Sequence, residues 1–137
     1  MRSVLAQAGD APAPRQRPRS RILRFDPQRA DPRGWRLVEL VAAAQGISAK
    51  ALMGPDRGKA EIALARQLAM YLMHTHYSRI YAEVGRFFGR DRTTVSYACG
   101  LIEELREDVA FDESVEKLET ELAGERVAER ETVHATR

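Results

Sequence analysis

At 137 residues, with 44% hydrophobic and 31% charged side chains, the chain has the material for one compact domain. Its single cysteine excludes an internal disulfide framework and a cysteine-rich zinc site, and no apolar run approaches the roughly 20 residues of a membrane span. The net charge of +2 hides an asymmetry: eight Arg against three Asp in residues 1–34, ten basic against nine acidic side chains in 35–108, and four against eight in 109–137.

A basic front, a nearly neutral middle and an acidic end suggest a polyanion met by the front and a solvated back. Residues 1–34 hold five of the six prolines and the run RQRPRSRILRF, and they read as a disordered Pro/Arg-rich arm. Such an arm can instead fold onto nucleic acid, its Arg side chains entering a minor groove or touching phosphates. The start MRSVLAQAGDAPA is too short in apolar residues for a secretory segment, so a cytoplasmic, nucleoid-associated location is expected.

The folded domain is expected over residues 35–108. WRLVELVAAAQ, from Trp35 to Gln45, has apolar residues along one side, with Gly46 as its C-cap. Ser48 can cap a short helix through Met53, and GPDRGK then forms a loop. A long helix follows from about Lys59 to Thr75, with Ile62, Ala65, Leu68, Ala69 and Leu72 on a broad buried face.

Ser78 to Glu107 reads as two helices joined by a tight polar turn, a helix-turn-helix. Ile80, Val84 and Phe87 fall at i, i+4 and i+7 and give the first helix one apolar stripe. Gly89 punctuates the chain, and Asp91 is placed to cap the second helix by accepting a backbone N–H from Thr93 or Thr94. Val95, Cys99 and Ile102, widened by Ala98 and Leu105, must face inward. The opposite face carries Thr93, Ser96, Tyr97 and Gly100, with Arg90 and Arg92 at the amino end, which are groups a major groove can receive.

Beyond Asp108, Val115, Leu118 and Leu122 make one more amphipathic stripe, opened by Asp112 or Ser114 and closed near Gly124, with a Glu-rich outer face. This acidic helix, residues 112–123, docks on the domain or binds a protein partner. Residues 125–137 read as frayed, and no β pattern of useful length occurs, so the class is all-α.

Base reading falls to Arg90 or Arg92, with Thr93 and Thr94: an Arg bridges the two acceptors of guanine, and a Thr methyl packs against the thymine methyl. Arg57, Lys59, Arg79 and Arg86 are candidates for phosphate contacts, and Ser96 and Tyr97 lie on the same face for backbone or minor-groove contact. No catalytic constellation is present. There is no G-x-x-x-x-G-K-[ST] loop, so no nucleotide site is expected, and His74 and His76, two apart on a helix, point to different sides and do not suit a metal. The expectation is a protein that is not an enzyme and takes no cofactor. Tyr71, Tyr77, Tyr81, Phe87 and Phe88 have helical spacing and read as core.

GRDRTTVSYACGLIEELRE also resembles the C-terminal DNA-binding domain of the bacterial replication initiator DnaA, at Arg90, Asp91, Thr93, Thr94, Val95, Ala98, Cys99, Ile102 and Glu103. Upstream, Ala65, Arg66, Gln67, Ala69 and Met70 resemble the start of that family's long helix. The resemblance covers about Trp35 to Asp108. It implies a small helical fold like that of the Trp repressor, binding to duplex DNA at A/T-rich initiator boxes, base contacts from Asp91, Thr93 and Thr94, and a minor-groove Arg near Arg57. Arg92 stands where the family usually has a His, and the basic loop is thin, with only Arg57 and Lys59. The expected function is sequence-specific binding of double-stranded DNA, as a transcriptional regulator or a modulator of replication initiation without the initiator's ATPase. The competing reading is a protein-interaction module using the acidic helix, with DNA binding lost.

Overall fold

The computed structural model describes residues 26–55 and 59–135, all of whose regular elements are helices: α1 (Pro27–Ala30), α2 (Pro32–Gln45), α3 (Ala49–Met53), α4 (Ala60–Tyr77), α5 (Tyr81–Phe88), α6 (Arg92–Leu105) and α7 (Val109–Ala135). The first 25 residues of the basic arm and Arg57 lie outside the described residues.

Helix α4 is the axis of the fold. Ala65, Leu68, Ala69, Met70, Leu72 and Met73 are buried along it, so apolar neighbours surround its middle on nearly every side. The principal packings are α4 on α6, α4 on α2 and α5 on α6. Leu37, Val38 and Val41 of α2, Val84 and Phe87 of α5, and Val95, Ala98 and Ile102 of α6 close one continuous core. Each fully buried Leu, Val or Ile stabilises the fold by about 1.5–3 kcal/mol before chain entropy is counted.

Three boundaries differ from the sequence reading. First, ordered structure begins ahead of Trp35. Asp31 is the N-cap of α2, its carboxylate accepting the Gly34 N–H at 3.0 Å, and Pro32 takes the first helical position. The last residues assigned to the arm, Asp26 to Gly34, are therefore part of the fold: a cap followed by proline is a helix start even within a proline-rich stretch. Second, Ile80 is 61% exposed and sits at the N-cap of α5, not on its apolar stripe; Val84, Phe87 and Phe88 carry the burial. A residue ahead of the first turn is not held to the helical phase.

Third, α7 opens after Asp108, three residues ahead of Asp112. The Asp108 carboxylate accepts the Phe111 N–H at 2.9 Å, and its carbonyl accepts the Asp112 N–H at 2.9 Å. The helix then runs through Gly124 to Ala135 instead of closing there. Glycine in a helix interior costs about 1 kcal/mol and does not by itself stop a helix, and Gly124 lacks the left-handed backbone with which Gly46 and Gly89 end theirs.

The acidic helix docks. Val115, Leu118 and Leu122 are buried against α2 and α4. Arg106, the C-cap of α6, donates from Nε to Asp112 at 2.5 Å and from Nη1 to Glu119 at 3.0 Å and to the Tyr71 hydroxyl at 3.0 Å. Tyr71 in turn donates to Glu103 at 2.7 Å, so one polar cluster ties α4, α6 and α7 together. The Glu119 and Asp112 carboxylates raise the Arg106 pKa above its ordinary value, against the opposing effect of its burial. Nearer the amino end, Arg36 meets Glu125 at 3.0 Å across α2 and α7.

Candidate nucleic-acid interface

The turn between α5 and α6 is held by backbone geometry. Gly89 caps α5 in the left-handed region at φ 69°, and the Arg90 N–H donates to the Gly85 carbonyl at 2.8 Å. A side chain at Gly85 would meet that turn directly: a Cβ there would stand 2.5 Å from the Arg90 carbonyl oxygen. The glycine is what lets α6 start so close to α5.

Asp91 caps α6 as the sequence indicates. Its carboxylate accepts the Thr93 N–H at 3.2 Å and the Thr93 hydroxyl at 2.7 Å, and its carbonyl accepts the Thr94 N–H at 3.1 Å. The hydrogen bond from the Thr93 hydroxyl, with those from the Thr94 and Thr93 N–H groups and the Arg92 charge, holds the Asp91 carboxyl below its ordinary pKa even though it is fully exposed. Asp91 is therefore an anion at neutral pH, and the Thr93 hydroxyl is committed to it as a donor. The Thr93 methyl group and hydroxyl lone pairs remain available.

From this cap, α6 shows two opposed faces. Val95, Ala98, Cys99 and Ile102 are buried, whereas Arg92, Thr93, Thr94, Ser96, Tyr97 and Gly100 are exposed. Tyr97 is 69% exposed, a large aromatic ring facing solvent. No described hydrogen bond or ion pair engages the side chain of Lys59, Arg86 or Arg92, and all three are exposed. A cation, two threonines, a serine and a tyrosine thus project together from the first two turns of a helix whose other side is packed.

Two arginines are placed otherwise. Arg79 forms a two-pronged ion pair with Asp31, the second contact at 3.2 Å, and its side chain is only 23% exposed. It lies within 5.3 Å of the Tyr77 ring centroid, so it joins the amino end of α2 to the approach to α5. Burial pushes the Asp31 carboxyl up, but the Arg79 hydrogen bonds, the Gly34 N–H and the charges of Arg79 and Arg33 outweigh it and hold the group below its ordinary value. The same approach is steadied by His74, whose Nδ1 lies 2.7 Å from the Arg79 carbonyl oxygen and whose ring packs 4.5 Å from that of Tyr81.

Arg90 is turned back from the exposed face. Its Nη1 donates to the Phe88 carbonyl at 3.0 Å and its Nη2 to the Gly54 carbonyl at 3.3 Å. Arg66, buried on α4, donates to the same Gly54 oxygen at 3.2 Å and to the Leu52 carbonyl at 2.9 Å. The end of α3 is thus gripped by cations from two elements, where the negative end of a helix favours them.

Sequence reasoning passed over Gly85, Gly54 and Asp31. The signal for Gly85 was a glycine inside a helix, which marks close backbone approach; for Asp31 it was the Asp-Pro pair. For Gly54, whose role is a carbonyl, no side-chain signal exists. Among the described residues no group of three or more His, Cys, Asp or Glu is placed to hold a metal ion, and no helix is long and apolar enough to cross a membrane.

Residues 36–102 match the family described as bacterial dnaA protein helix-turn-helix. The chain is similar to the chromosomal replication initiator protein DnaA of Picosynechococcus sp., 41% identical over 70 residues, which is 50% of this chain and 15% of that protein. It is 38% identical to the DnaA of Thermus thermophilus over 84 residues, 61% of this chain and 19% of that protein. With the DnaA of Deinococcus radiodurans it shares 32% identity over 101 residues, 73% of this chain and 22% of that protein. The chain therefore spans only about a fifth of the length of these relatives.

Proposed function

We infer, from a helix-turn-helix of the bacterial DnaA type at residues 36–102, that this protein binds double-stranded DNA in a sequence-specific manner with α6 in the major groove. The observation that carries the reading is the two-sidedness of α6: Arg92, Thr93, Thr94, Ser96 and Tyr97 all exposed on one side, and Val95, Cys99 and Ile102 buried on the other. Arg92 and Thr94 are assigned base contacts, the first through paired donors to guanine and the second through its methyl group to thymine. Asp91 orients Thr93, and as an anion it accepts from an exocyclic amino group at the edge of the site. Lys59, Arg86, Ser96 and Tyr97, with Arg57, supply phosphate and groove-wall contacts that set register without reading sequence.

Sites resembling the A/T-rich boxes of the initiator are the proposed targets, and the protein acts at them as a nucleoid-associated modulator of replication initiation or of transcription. It acts by binding, not by catalysis. The competing reading, a partner bound through residues 112–123, is less well supported, because the apolar stripe of that helix is spent on the core and only its Glu face is left to offer.

Selection of random duplexes by the purified protein, followed by titration against salt, tests the proposal. One enriched box is expected, with Thr94→Ala weakening it about fivefold, the loss of one methyl contact. Lys59→Ala is expected to flatten the plot of log affinity against log salt by about 0.9, one phosphate contact. Equal binding to every duplex, or binding to none, refutes it.

A further inference from the structure

We propose that Arg90 is a positioning residue that couples the carboxyl end of α3 to the recognition helix, and that it reads no base. The inference rests on the DNA-binding reading above. Arg90 is the residue immediately before the Asp91 cap, and its main chain is fixed by the N–H bond to Gly85. Its guanidinium spans two carbonyls from different parts of the chain, Phe88 at 3.0 Å and Gly54 at 3.3 Å. A planar fork with several donors suits this bridging, which a single ammonium reproduces poorly.

Gly54 is where the connection leaves α3, and the connection re-enters the described fold at Lys59, the N-cap of α4. Lys59, at the start of α4, and the exposed face of α6 both offer groups to a duplex, and they belong to separate helices. Arg66 fixes the Gly54 carbonyl to α4, and Arg90 fixes it to the turn before α6. The shared oxygen thus ties α4 to the turn before α6, in addition to the direct packing of the two helices, and helps to hold the phosphate-contacting start of α4 in register with the base-contacting start of α6. A cation committed to two carbonyls, partly buried and turned from the groove face, is no longer available to a guanine edge.

A double-mutant cycle on duplex binding tests this, with the folded state of each variant checked by thermal melting. Arg90→Ala is expected to lower affinity about threefold to tenfold for the selected box and for every single-base variant of it alike, leaving base discrimination intact. In the Arg90→Ala background, Lys59→Ala should cost less than it does in the parent, because the contact it removes is already misplaced. Arg92→Ala, by contrast, should collapse discrimination at one base pair.

Loss of discrimination at a single position in Arg90→Ala would make Arg90 a base reader and overturn the proposal. Strictly additive losses with Lys59→Ala, together with full rescue by Arg90→Lys, would make it a direct phosphate contact and overturn it as well. So would Arg90→Ala binding like the parent. Failure of the parent itself to select any duplex is a separate outcome, which removes the DNA-binding reading and this inference with it.

Discussion

Replacing Gly85 by alanine probes the closeness of α5 to the turn that launches α6. A Cβ at this position would lie 2.5 Å from the Arg90 carbonyl oxygen, whereas ordinary contact begins at 3.4 Å, so a gap of roughly 0.9 Å must open between two backbone segments. No side-chain rotation relieves it. Overpacking of this kind costs about 1–3 kcal/mol, and stretching the Arg90 N–H bond to Gly85 adds about 1 kcal/mol. The better helix propensity of alanine returns about 1 kcal/mol. The net is a destabilisation of about 2 kcal/mol, which for a domain of this size lowers the melting temperature by about 10 °C. Gly100→Ala is the control. It is also a glycine inside a helix, but nothing lies within 4 Å of its Cβ, so the same chemical change should stabilise by about 0.5–1 kcal/mol. Thermal melts of the two variants beside the parent give the answer directly. If Gly85→Ala melts at or above the parent, the close-approach argument is wrong.

Three further outcomes are expected. Arg106→Ala removes donors to Asp112, Glu119 and Tyr71, costs about 2 kcal/mol, and should raise hydrogen exchange across residues 109–125 ahead of the rest of the domain; uniform exchange would show that α7 does not depend on this cluster. The Asp31 carboxyl is held below its ordinary value in the folded state, so its contribution is present above the unfolded value and lost as pH falls through the folded one. The stability difference between parent and Asp31→Asn in urea melts should thus be constant at neutral pH and shrink below about pH 3.9, and a difference independent of pH would contradict the assignment. Burial, with the Glu103 charge adding to it, pushes the Cys99 thiol up to about 11, which leaves about one molecule in a thousand as thiolate at pH 8. Native protein should react with an aromatic disulfide reagent far more slowly than protein in guanidinium, and equal rates would place Cys99 outside the core.

What was read correctly from the amino-acid order is governed by neighbours within one or two turns. The α6 stripe of Val95, Cys99 and Ile102, the Asp91 cap, the Ser48 cap of α3 and the left-handed stops at Gly46 and Gly89 are local matters of period and hydrogen bonding, and each stands where the spacing puts it. The starts of α2 at Asp31 and α7 at Asp108 are caps equally local in kind that the reading passed over, whereas the errors at Ile80 and Gly124 are of another kind. Ile80 lies outside the α5 stripe because the start of a helix depends on how the preceding turn is held, here by His74 and Arg79. Gly124 did not end α7, because a glycine ends a helix through the backbone conformation it adopts and Gly124 stays in the helical region, at a cost of about 1 kcal/mol.

The division is sharpest among the arginines. By composition Arg79, Arg90 and Arg92 are equivalent cations near a recognition helix, and all three qualified as DNA contacts. Only the folded chain brings Asp31 to Arg79 across 48 positions and the Gly54 carbonyl to Arg90 across 36, leaving Arg92 exposed at the start of α6. A guanidinium is claimed by whichever acceptor the tertiary structure delivers to it, and a backbone carbonyl distant in sequence leaves no mark in the order of side chains.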